Sequence, residues 1–208
     1  MINLYNKDCM EALKEFKENQ FDLAIVDPPY GYGNKKTNIL NFRQKKQHKE
    51  WNISPDKNYF IDLFRVSKNQ IIWGGNYFPY IWNFGGRCFI YWHKGNPVEN
   101  FADGELAWTS FDKNAKQFDF RYYGNLEGNT STTSKFHPTQ KPVKLYEWIL
   151  MNYAKEGDKI LDTHLGSGSI AIACHNLGYY LEGYELDKEY FEAATKRLKE
   201  HQQQLRMF

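Results

Sequence analysis

The sequence predicts a single α/β domain, and three observations support this fold class. Short apolar runs that suit strands alternate with segments whose apolar residues recur at helical spacing. The glycine turn, residues 166–171, reads Gly-x-Gly-x-x-Ala and follows an apolar run, which is the order of a nucleotide-binding crossover. The length of 208 residues suits one compact domain that buries a substantial core.

The first elements predict the order strand, helix, strand. Residues 2–6 alternate apolar and polar side chains, residues 10–16 carry apolar side chains at helical spacing, and residues 21–26 form a largely apolar run that ends at Asp27. Residues 33–50 lose this periodicity and contain no acid before Glu50, so they predict a basic loop. Its cations are Lys35, Lys36, Arg43, Lys45, Lys46 and Lys49.

The later elements continue the alternation. A helix is predicted over residues 59–66, and strands are predicted over 70–73, 87–92, 105–111 and 118–123. Residues 124–135 are rich in Gly, Asn, Ser and Thr and predict a linker or surface loop. Pro142 opens a helix, since proline is tolerated in the first helical turn. A strand over 159–161, a helix over 167–177, a strand over 180–185 and a helix over 188–201 complete the pattern.

Bulk composition narrows the class of protein. No apolar run approaches the roughly 18 residues that span a bilayer, and no N-terminal segment has the order of a signal peptide, so we expect a soluble cytoplasmic protein without a membrane partner. Cys9, Cys88 and Cys174 share no metal-ligand spacing with histidines, so we expect reduced thiols and no metal. The net charge of +2 is too small to indicate nucleic-acid binding, which must be argued from how the charge is distributed.

Two acidic residues flank the glycine turn and indicate the class of cofactor. Asp162 ends the strand before the turn, and Glu185 ends the next strand, where a carboxylate can accept hydrogen bonds from two ribose hydroxyls. Gly166 and Gly168 let the backbone approach a ligand. An ordinary tight turn and an NAD site remain alternatives. A carboxylate at Asp162, however, would repel a dinucleotide pyrophosphate and attract the ammonium group of a methionine moiety, which favours S-adenosylmethionine.

The DPPY motif, Asp27-Pro28-Pro29-Tyr30, directly follows the strand predicted over residues 21–26. The amino nitrogen of a nucleobase is a poor nucleophile, because its lone pair is delocalised into the ring. The Asp27 carboxylate and the Pro28 carbonyl can accept hydrogen bonds from both its N–H groups, while the two prolines fix the backbone and remove donors. Tyr30 offers a flat face on which a flipped base can stack. The alternative is an Asp-Pro turn that closes a strand, with Tyr30 in the core.

Three motifs in this order resemble the amino-group DNA methyltransferases of the beta type. They are the DPPY motif, His137-Pro138-Thr139-Gln140-Lys141-Pro142, and residues 162–168. The resemblance covers nearly the whole chain and implies a Rossmann-like class I methyltransferase fold, circularly permuted, with a seven-stranded mixed sheet and helices on both faces. Strands one and two of the usual order would then lie at the C-terminus, and strands three and four at the N-terminus.

The resemblance also implies further site residues. Asp8 matches the position that approaches the cofactor adenine, while Thr139 and Lys141 match the motif that lines its methionine end. One departure is that relatives commonly have Asp-Pro-Phe where this chain has Asp162-Thr163-His164. His164 could pack on the cofactor as the Phe does or could be a surface histidine without a role, and it is not included in the predicted site.

The resemblance implies methyl transfer from S-adenosylmethionine to adenine N6 of a base flipped out of double-stranded DNA, because it associates Asp at the first motif position with adenine and Ser with cytosine N4. Cytosine N4 therefore remains the main alternative, and RNA or protein amide groups are lesser ones. A catalytically inert DNA-binding subunit and an NAD-dependent oxidoreductase are the other readings of the sequence. Calorimetric measurement of cofactor binding would separate these from the methyltransferase.

The cations of residues 33–50 predict contacts to DNA phosphates, joined by Lys113, Lys116, Arg121 and Lys135 of other loops, although a solvated loop without a partner would look the same. We expect one domain with a catalytic half (1–111) and a cofactor half (137–208). The intervening 112–136 would form a short target-recognition region, which predicts a short or relaxed recognition site. Restriction-modification is the expected context.

The C-terminal tail, residues 202–208, ends in Gln204-Leu205-Arg206-Met207-Phe208. This peptide resembles the segment by which bacterial replication and repair proteins dock on the sliding clamp. A glutamine could bond backbone groups at the rim of a pocket while the apolar side chains fill it. The alternative is a frayed helix end that packs on the domain.

Overall fold

The computed structural model describes residues 1–31, 53–95, 102–123, 126–127 and 140–204, with 122–123 and 126–127 given by their backbone only. The strands are β1 Ile2–Tyr5, β2 Phe21–Val26, β3 Ser67–Trp73, β4 Phe89–His93, β5 Gly104–Thr109, β6 Lys116–Asp119, β7 Tyr122–Tyr123, β8 Leu126–Glu127, β9 Lys159–Asp162 and β10 Tyr180–Tyr184. The helices are α1 Cys9–Glu15, α2 Lys57–Val66, α3 Val143–Tyr153, α4 Ser169–Leu177 and α5 Lys188–Gln204, and two short 3-10 helices cover Gly75–Tyr77 and Pro79–Phe84.

Eight strands form one mixed sheet in the order β1-β10-β9-β2-β3-β5-β4-β6. The first five strands of this order are parallel, β5 runs antiparallel to both its neighbours, and β6 is parallel to β4. Strands β9 and β10 insert between β1 and β2, which confirms the permuted order that the resemblance implies. The sheet has eight strands where seven were expected, because β6 occupies the backbone groups that the edge of β4 leaves open.

Helices pack on both faces of the sheet, as expected, and the alternation of side chains assigns each strand residue to a face. Leu23 and Ile25 lie in one core cluster together with apolar residues of α3, α4 and α5. Ala24 and Val26 lie in a second cluster with apolar residues of α1, α2 and the segment 78–81. The central strands are therefore buried on both faces, which is why β2 reads as a nearly continuous apolar run.

Short-range capping fixes where the first two helices begin. The Asp8 side chain accepts a hydrogen bond from the N–H of Met10 at the start of α1. The Asp56 side chain accepts from the N–H groups of Asn58 and Tyr59, so α2 begins before the predicted residue 59. Helix α3 begins directly after Pro142, as predicted.

Three predicted segments need correction. The single strand predicted over 118–123 is split, because β6 pairs with β4 only as far as Asp119, whereas β7 pairs with β8 in a separate two-stranded sheet. The predicted loop 124–135 contains strand β8, which pairs antiparallel with β7. Residues 202–204 of the predicted tail continue α5.

Several predicted site residues lie outside the described residues. They are Lys35, Lys36, Arg43, Lys45, Lys46 and Lys49 of the basic loop, Lys135, Thr139, and residues 205–208 of the tail. Among the residues that are described, no helix has the length and apolarity needed to cross a membrane. The cytoplasmic location stays a prediction.

Candidate active site

Four acidic residues lie at the carboxyl ends of four neighbouring parallel strands. Asp8 follows β1, Glu185 follows β10, Asp162 ends β9 and Asp27 follows β2. The chain leaves β9 toward β10 and leaves β2 toward β3, so the order of strands reverses between β9 and β2. Ligands of open α/β sheets bind at such a reversal, outside the carboxyl ends of the strands. The fold thus gathers predicted residues from both ends of the sequence at one edge.

The DPPY motif begins where the buried strand β2 ends. The hydroxyl of Tyr30 donates a hydrogen bond of 2.7 Å to Oδ1 of Asp27, which ties the ring to the carboxylate. Burial, with the charge of Asp27, raises the pKa of Tyr30 well above its usual range, so the hydroxyl keeps its proton and stays a donor. The ring of Tyr30 lies 5.0 Å, centroid to centroid, from that of Tyr77. A carboxylate acceptor and an aromatic ring therefore lie next to one another, and the roles predicted for them toward a flipped base stay predictions.

Gly74, directly after β3, makes room for the ring of Tyr30. A Cβ atom on Gly74 would lie 2.5 Å from Cζ and 2.6 Å from Cδ1 of that ring. The φ angle of Gly74 is +67°, in the left-handed region that favours glycine. The sequence predicted only a strand end at this glycine, and its contact with the DPPY motif required the structure.

The ammonium group of Lys141 lies against the DPPY motif. It forms an ion pair with Oδ2 of Asp27 and a second one, at 3.1 Å, with Oε2 of Glu105 on β5. It also lies 5.1 Å from the centroid of the Trp73 ring. Although burial opposes it, the charges of Asp27 and Glu105 raise the pKa of Lys141, which therefore stays charged. The role predicted for Lys141 at the cofactor carboxylate stays a prediction, and the structure shows its contacts on the Asp27 side.

Asp162 is fully buried at the end of β9. Burial, together with the charges of Asp27 and Glu185, raises the pKa of Asp162 to about 8, even though the N–H of His164 donates a 2.9 Å hydrogen bond to Oδ1. A protonated carboxyl group that ionises when a cation arrives is suited to bind an ammonium group. The carboxyl also faces the reversal of strand order, where that cation could bind.

His164 is packed inside the site. Its ring meets that of Tyr59 edge-on at a centroid distance of 5.4 Å, and the Thr163 hydroxyl lies 2.9 Å from its Nδ1 and 2.7 Å from the Tyr59 hydroxyl. Burial lowers the pKa of His164 to about 4, so the ring is neutral at pH 7. His164 is thus half-buried beside Tyr59, and a contact between its ring and the cofactor stays a prediction.

The glycine turn and Glu185 are connected directly. Gly166 and Gly168 have φ angles of +51° and +69°, and the N–H of Gly166 donates a 2.9 Å hydrogen bond to Oε2 of Glu185. Oε1 of Glu185 accepts from the N–H of Asp187, also at 2.9 Å. Since a carboxylate has about four acceptor positions, Glu185 retains capacity for two ribose hydroxyls. Burial raises the pKa of Glu185 above its ordinary value.

Arg197 of α5 holds the glycine turn from behind. Its Nη1 donates to the carbonyl of Ser167 at 2.9 Å and to the hydroxyl of Ser169 at 2.8 Å. No local sequence signal predicts this contact, nor that of Glu105 with Lys141, because the partners lie far apart along the chain. At Asp8, the cap on α1 uses one carboxylate oxygen and leaves acceptor positions on the other.

Comparison with known proteins agrees with this geometry. A family model described as DNA methylase matches residues 44–196, which is more than half of the chain. The Type II methyltransferase M.HpaI of Haemophilus parainfluenzae is 30% identical over 92% of this chain and 72% of its own length. The Type II methyltransferase M2.DpnII of Streptococcus pneumoniae is 26% identical over 94% and 88%.

A solved structure gives the same fold. The crystal structure of the complex between M1.HpyAVI and SAM has a TM-score of 0.59 and 27% identity, with 95% of this chain and 100% of that chain covered. The match thus includes both the DPPY half and the glycine-turn half of the molecule. On the family model, the relatives and the site geometry together, the chain belongs to the DNA methylase family.

Proposed function

We propose that this chain transfers the methyl group of S-adenosylmethionine to the N6 amino group of an adenine flipped out of double-stranded DNA. The observation that carries the proposal is the position of the DPPY motif. Its carboxylate lies at the end of β2, next to β9 and the glycine turn, at the reversal of the strand order. The carboxylate that would bind the nucleobase and the glycine turn that would bind the cofactor thus follow neighbouring strands. A transfer between two bound molecules requires such a placement.

The chemistry of the site fits S-adenosylmethionine. Glu185 retains acceptor positions for ribose hydroxyls, the carboxyl of Asp162 suits the methionine ammonium, and Gly166 and Gly168 expose backbone to a close ligand. Asp8 would approach the adenine of the cofactor. M1.HpyAVI, which is similar over the whole fold, is named as a SAM complex. When bound, the cofactor would supply a methyl group on a sulfonium centre.

Asp27, Pro28, Pro29 and Tyr30 would orient the target. The carboxylate of Asp27 and the carbonyl of Pro28 would accept hydrogen bonds from the two N–H groups of the amino group, so that the nitrogen lone pair is directed at the methyl group. The Tyr30 ring, held by its bond to Asp27 and by the space at Gly74, would stack on the base. Much of the acceleration would come from holding both reactants at attack geometry.

Replacing Asp27 by Ala tests this role. We expect methyl transfer to DNA to fall at least about 100-fold, because the acceptor for the amino group is removed. Calorimetry should give a cofactor affinity within threefold of that of the unchanged chain. Undiminished turnover of Asp27→Ala would exclude the catalytic role.

The choice of adenine rests on the aspartate at the first position of the DPPY motif. Cytosine N4 presents a similar pair of N–H groups and is the alternative. Methylated DNA is digested to nucleosides and separated by liquid chromatography with mass detection. N6-methyladenine supports the proposal, whereas N4-methylcytosine alone would replace adenine as the target.

We further propose that the basic loop, residues 33–50, binds DNA phosphates. Removing one lysine that neutralises a phosphate should reduce the slope of log affinity against log salt by about 0.9. We would compare Lys35→Ala/Lys36→Ala with Lys188→Ala/Lys196→Ala, a control pair whose side chains are highly exposed on α5. Equal slopes in the two double variants would remove the loop from the DNA interface.

As a partner, we propose the bacterial sliding clamp, docked on Gln204–Phe208. Gln204, the first residue of this peptide, is also the last residue of α5, and residues 205–208 lie outside the described residues. A pull-down with purified clamp would compare the intact chain with one that ends at Gln203. Retention of the intact chain alone supports docking, and equal retention of both would remove the clamp as a partner.

A further inference from the structure

A chain of four alternating charges runs beneath the DPPY motif. Lys94, just after β4, forms an ion pair with Oε1 of Glu105 on β5, and Oε2 of Glu105 lies 3.1 Å from the ammonium of Lys141. Lys141 in turn binds Oδ2 of Asp27. Two cations and two carboxylates thus alternate from β4 to the end of β2. Of these four charged residues, only Asp27 and Lys141 have a predicted role in the site, and Glu105 has none.

Burial limits the groups that the ammonium of Lys141 can contact. The side chain of Lys141 is only 2% exposed, so its ammonium depends on protein acceptors instead of water. Lys94 fixes Glu105 from the far side, while its own ammonium lies 4.8 Å from the centroid of the Trp92 ring. Although burial opposes it, the charges of Lys141 and Lys94 lower the pKa of Glu105 to about 2, so Glu105 is ionised at neutral pH.

The two oxygens of Asp27 have different partners. Oδ1 accepts a hydrogen bond from the Tyr30 hydroxyl and Oδ2 accepts one from Lys141, so these two bonds fix the orientation of the carboxylate. If Lys141 had Asp27 as its sole counter-ion, it would neutralise that carboxylate more completely and weaken it as an acceptor. Glu105 shares the ammonium and leaves acceptor strength on Asp27.

We propose that Glu105 is a positioning residue for methyl transfer, which holds the Lys141 ammonium between two carboxylates and so keeps Asp27 fixed and available to the target amino group. This inference rests on the proposed function for the identity of the reaction. Glu105 does not touch the reacting atoms in this scheme. It acts through Lys141.

Charge changes at Glu105 and at Lys94 should move the pKa of Lys141 in opposite directions. Among the described residues, the charged groups that face its ammonium are Asp27, Glu105 of β5 and Asp162 of β9. Glu105→Gln removes one of the two carboxylates that raise the pKa of Lys141, so this pKa should fall. Lys94→Met removes a positive charge from the same chain of ion pairs, so the pKa of Lys141 should rise.

The experiment measures kcat and the KM for the cofactor for both variants. For Glu105→Gln we expect a roughly 10-fold to 100-fold lower kcat and a KM within about threefold. Glu105→Asp keeps the charge, so the pKa of Lys141 should stay raised and most of the lost kcat should return. The matched control is Asp22→Asn at the other end of β2. The Asp22 side chain is 27% exposed, like that of Glu105, and also forms an ion pair, at 2.6 Å with Lys68.

Lysine-selective carbon-13 labelling gives the titration midpoint of Lys141 without substrate, after assignment with Lys141→Arg. A lower midpoint in Glu105→Gln and a higher one in Lys94→Met support the inference. Midpoints that do not move overturn the inference. It is also overturned if kcat and the melting temperature fall together while the midpoint stays in place. If Glu105→Gln does not fold, Lys94→Met decides alone. If the unchanged chain methylates no DNA, the proposed function fails, while the midpoints still decide this inference.

Discussion

Replacing Gly74 by Ala tests how closely the site depends on the position of the Tyr30 ring. The added Cβ would lie 2.5 Å from Cζ and 2.6 Å from Cδ1 of the ring, whereas carbon atoms in contact are separated by about 3.5 Å or more. The ring must therefore move by about 1 Å, which strains its 2.7 Å hydrogen bond to Asp27. A misplacement of that size can lower a rate by about 100-fold.

Gly157 supplies the matched control. Its φ is +85°, in the same left-handed region as that of Gly74, but a Cβ there would meet no atom within 4 Å. Both variants should lose about 1–2 kcal/mol of folding stability from the backbone strain. Only Gly74→Ala should lose kcat in a methyl-transfer assay, while calorimetry should give the same cofactor affinity for both. If the kcat values of the two variants agree within threefold, the ring position does not govern the reaction.

The other predictions concern Asp162 and Arg197. Since the pKa of Asp162 is about 8, cofactor binding at pH 7 should release close to one proton, seen as a buffer-dependent binding enthalpy that Asp162→Asn loses. Because folding raises this pKa, the contribution of Asp162 to stability is fully present below about pH 4 and is lost as the pH rises to about 8. Urea titrations of the ligand-free Asp162→Asn variant should lack this decline in the free energy of unfolding. Equal slopes of this free energy against pH in the two proteins would contradict the burial argument. Arg197→Met should lower the free energy of unfolding by about 1–3 kcal/mol and weaken cofactor binding, because Ser167 and Ser169 lose a charged donor. The control Arg87→Met removes an exposed ion pair and should change neither quantity.

The order of strands and helices could be predicted from the sequence because it depends on local periodicity. Strand β2 and helix α4 carry patterns long enough to be recognised, and the glycine turn marks the crossover between β9 and α4. Strand β3 was predicted from residue 70, but it begins at Ser67, where α2 ends. Ser67 and Gln70 are buried there, and Gln70 Nε2 donates to the carbonyl of Ser67 at 2.6 Å. Such pairing is invisible in a hydropathy pattern.

The candidate site could be predicted wherever one short motif contains the chemistry. Asp27 and Tyr30 are three residues apart, so their association is local. Glu105 and Lys141 lie 36 residues apart, and the sequence predicts Glu105 only as the first residue of a strand. The motif therefore predicted a role for Lys141, whereas nothing in the sequence pointed to Glu105. Its partners, Lys94 and Lys141, are brought next to it only in the complete sheet.

The insertion of β9 and β10 between β1 and β2 has a consequence for biosynthesis. The two N-terminal strands leave the ribosome more than a hundred residues before the strands that separate them in the sheet, a delay of roughly 7 to 30 s at ordinary rates of translation. Until then, β2 has no partner on its β9 side and β1 has no partner at all within the parallel part of the sheet. Such non-local pairing slows folding and leaves edges open to aggregation. The four acids at the carboxyl edge thus come together only when the last strand has been made, and no nascent chain shorter than about β10 can assemble the site.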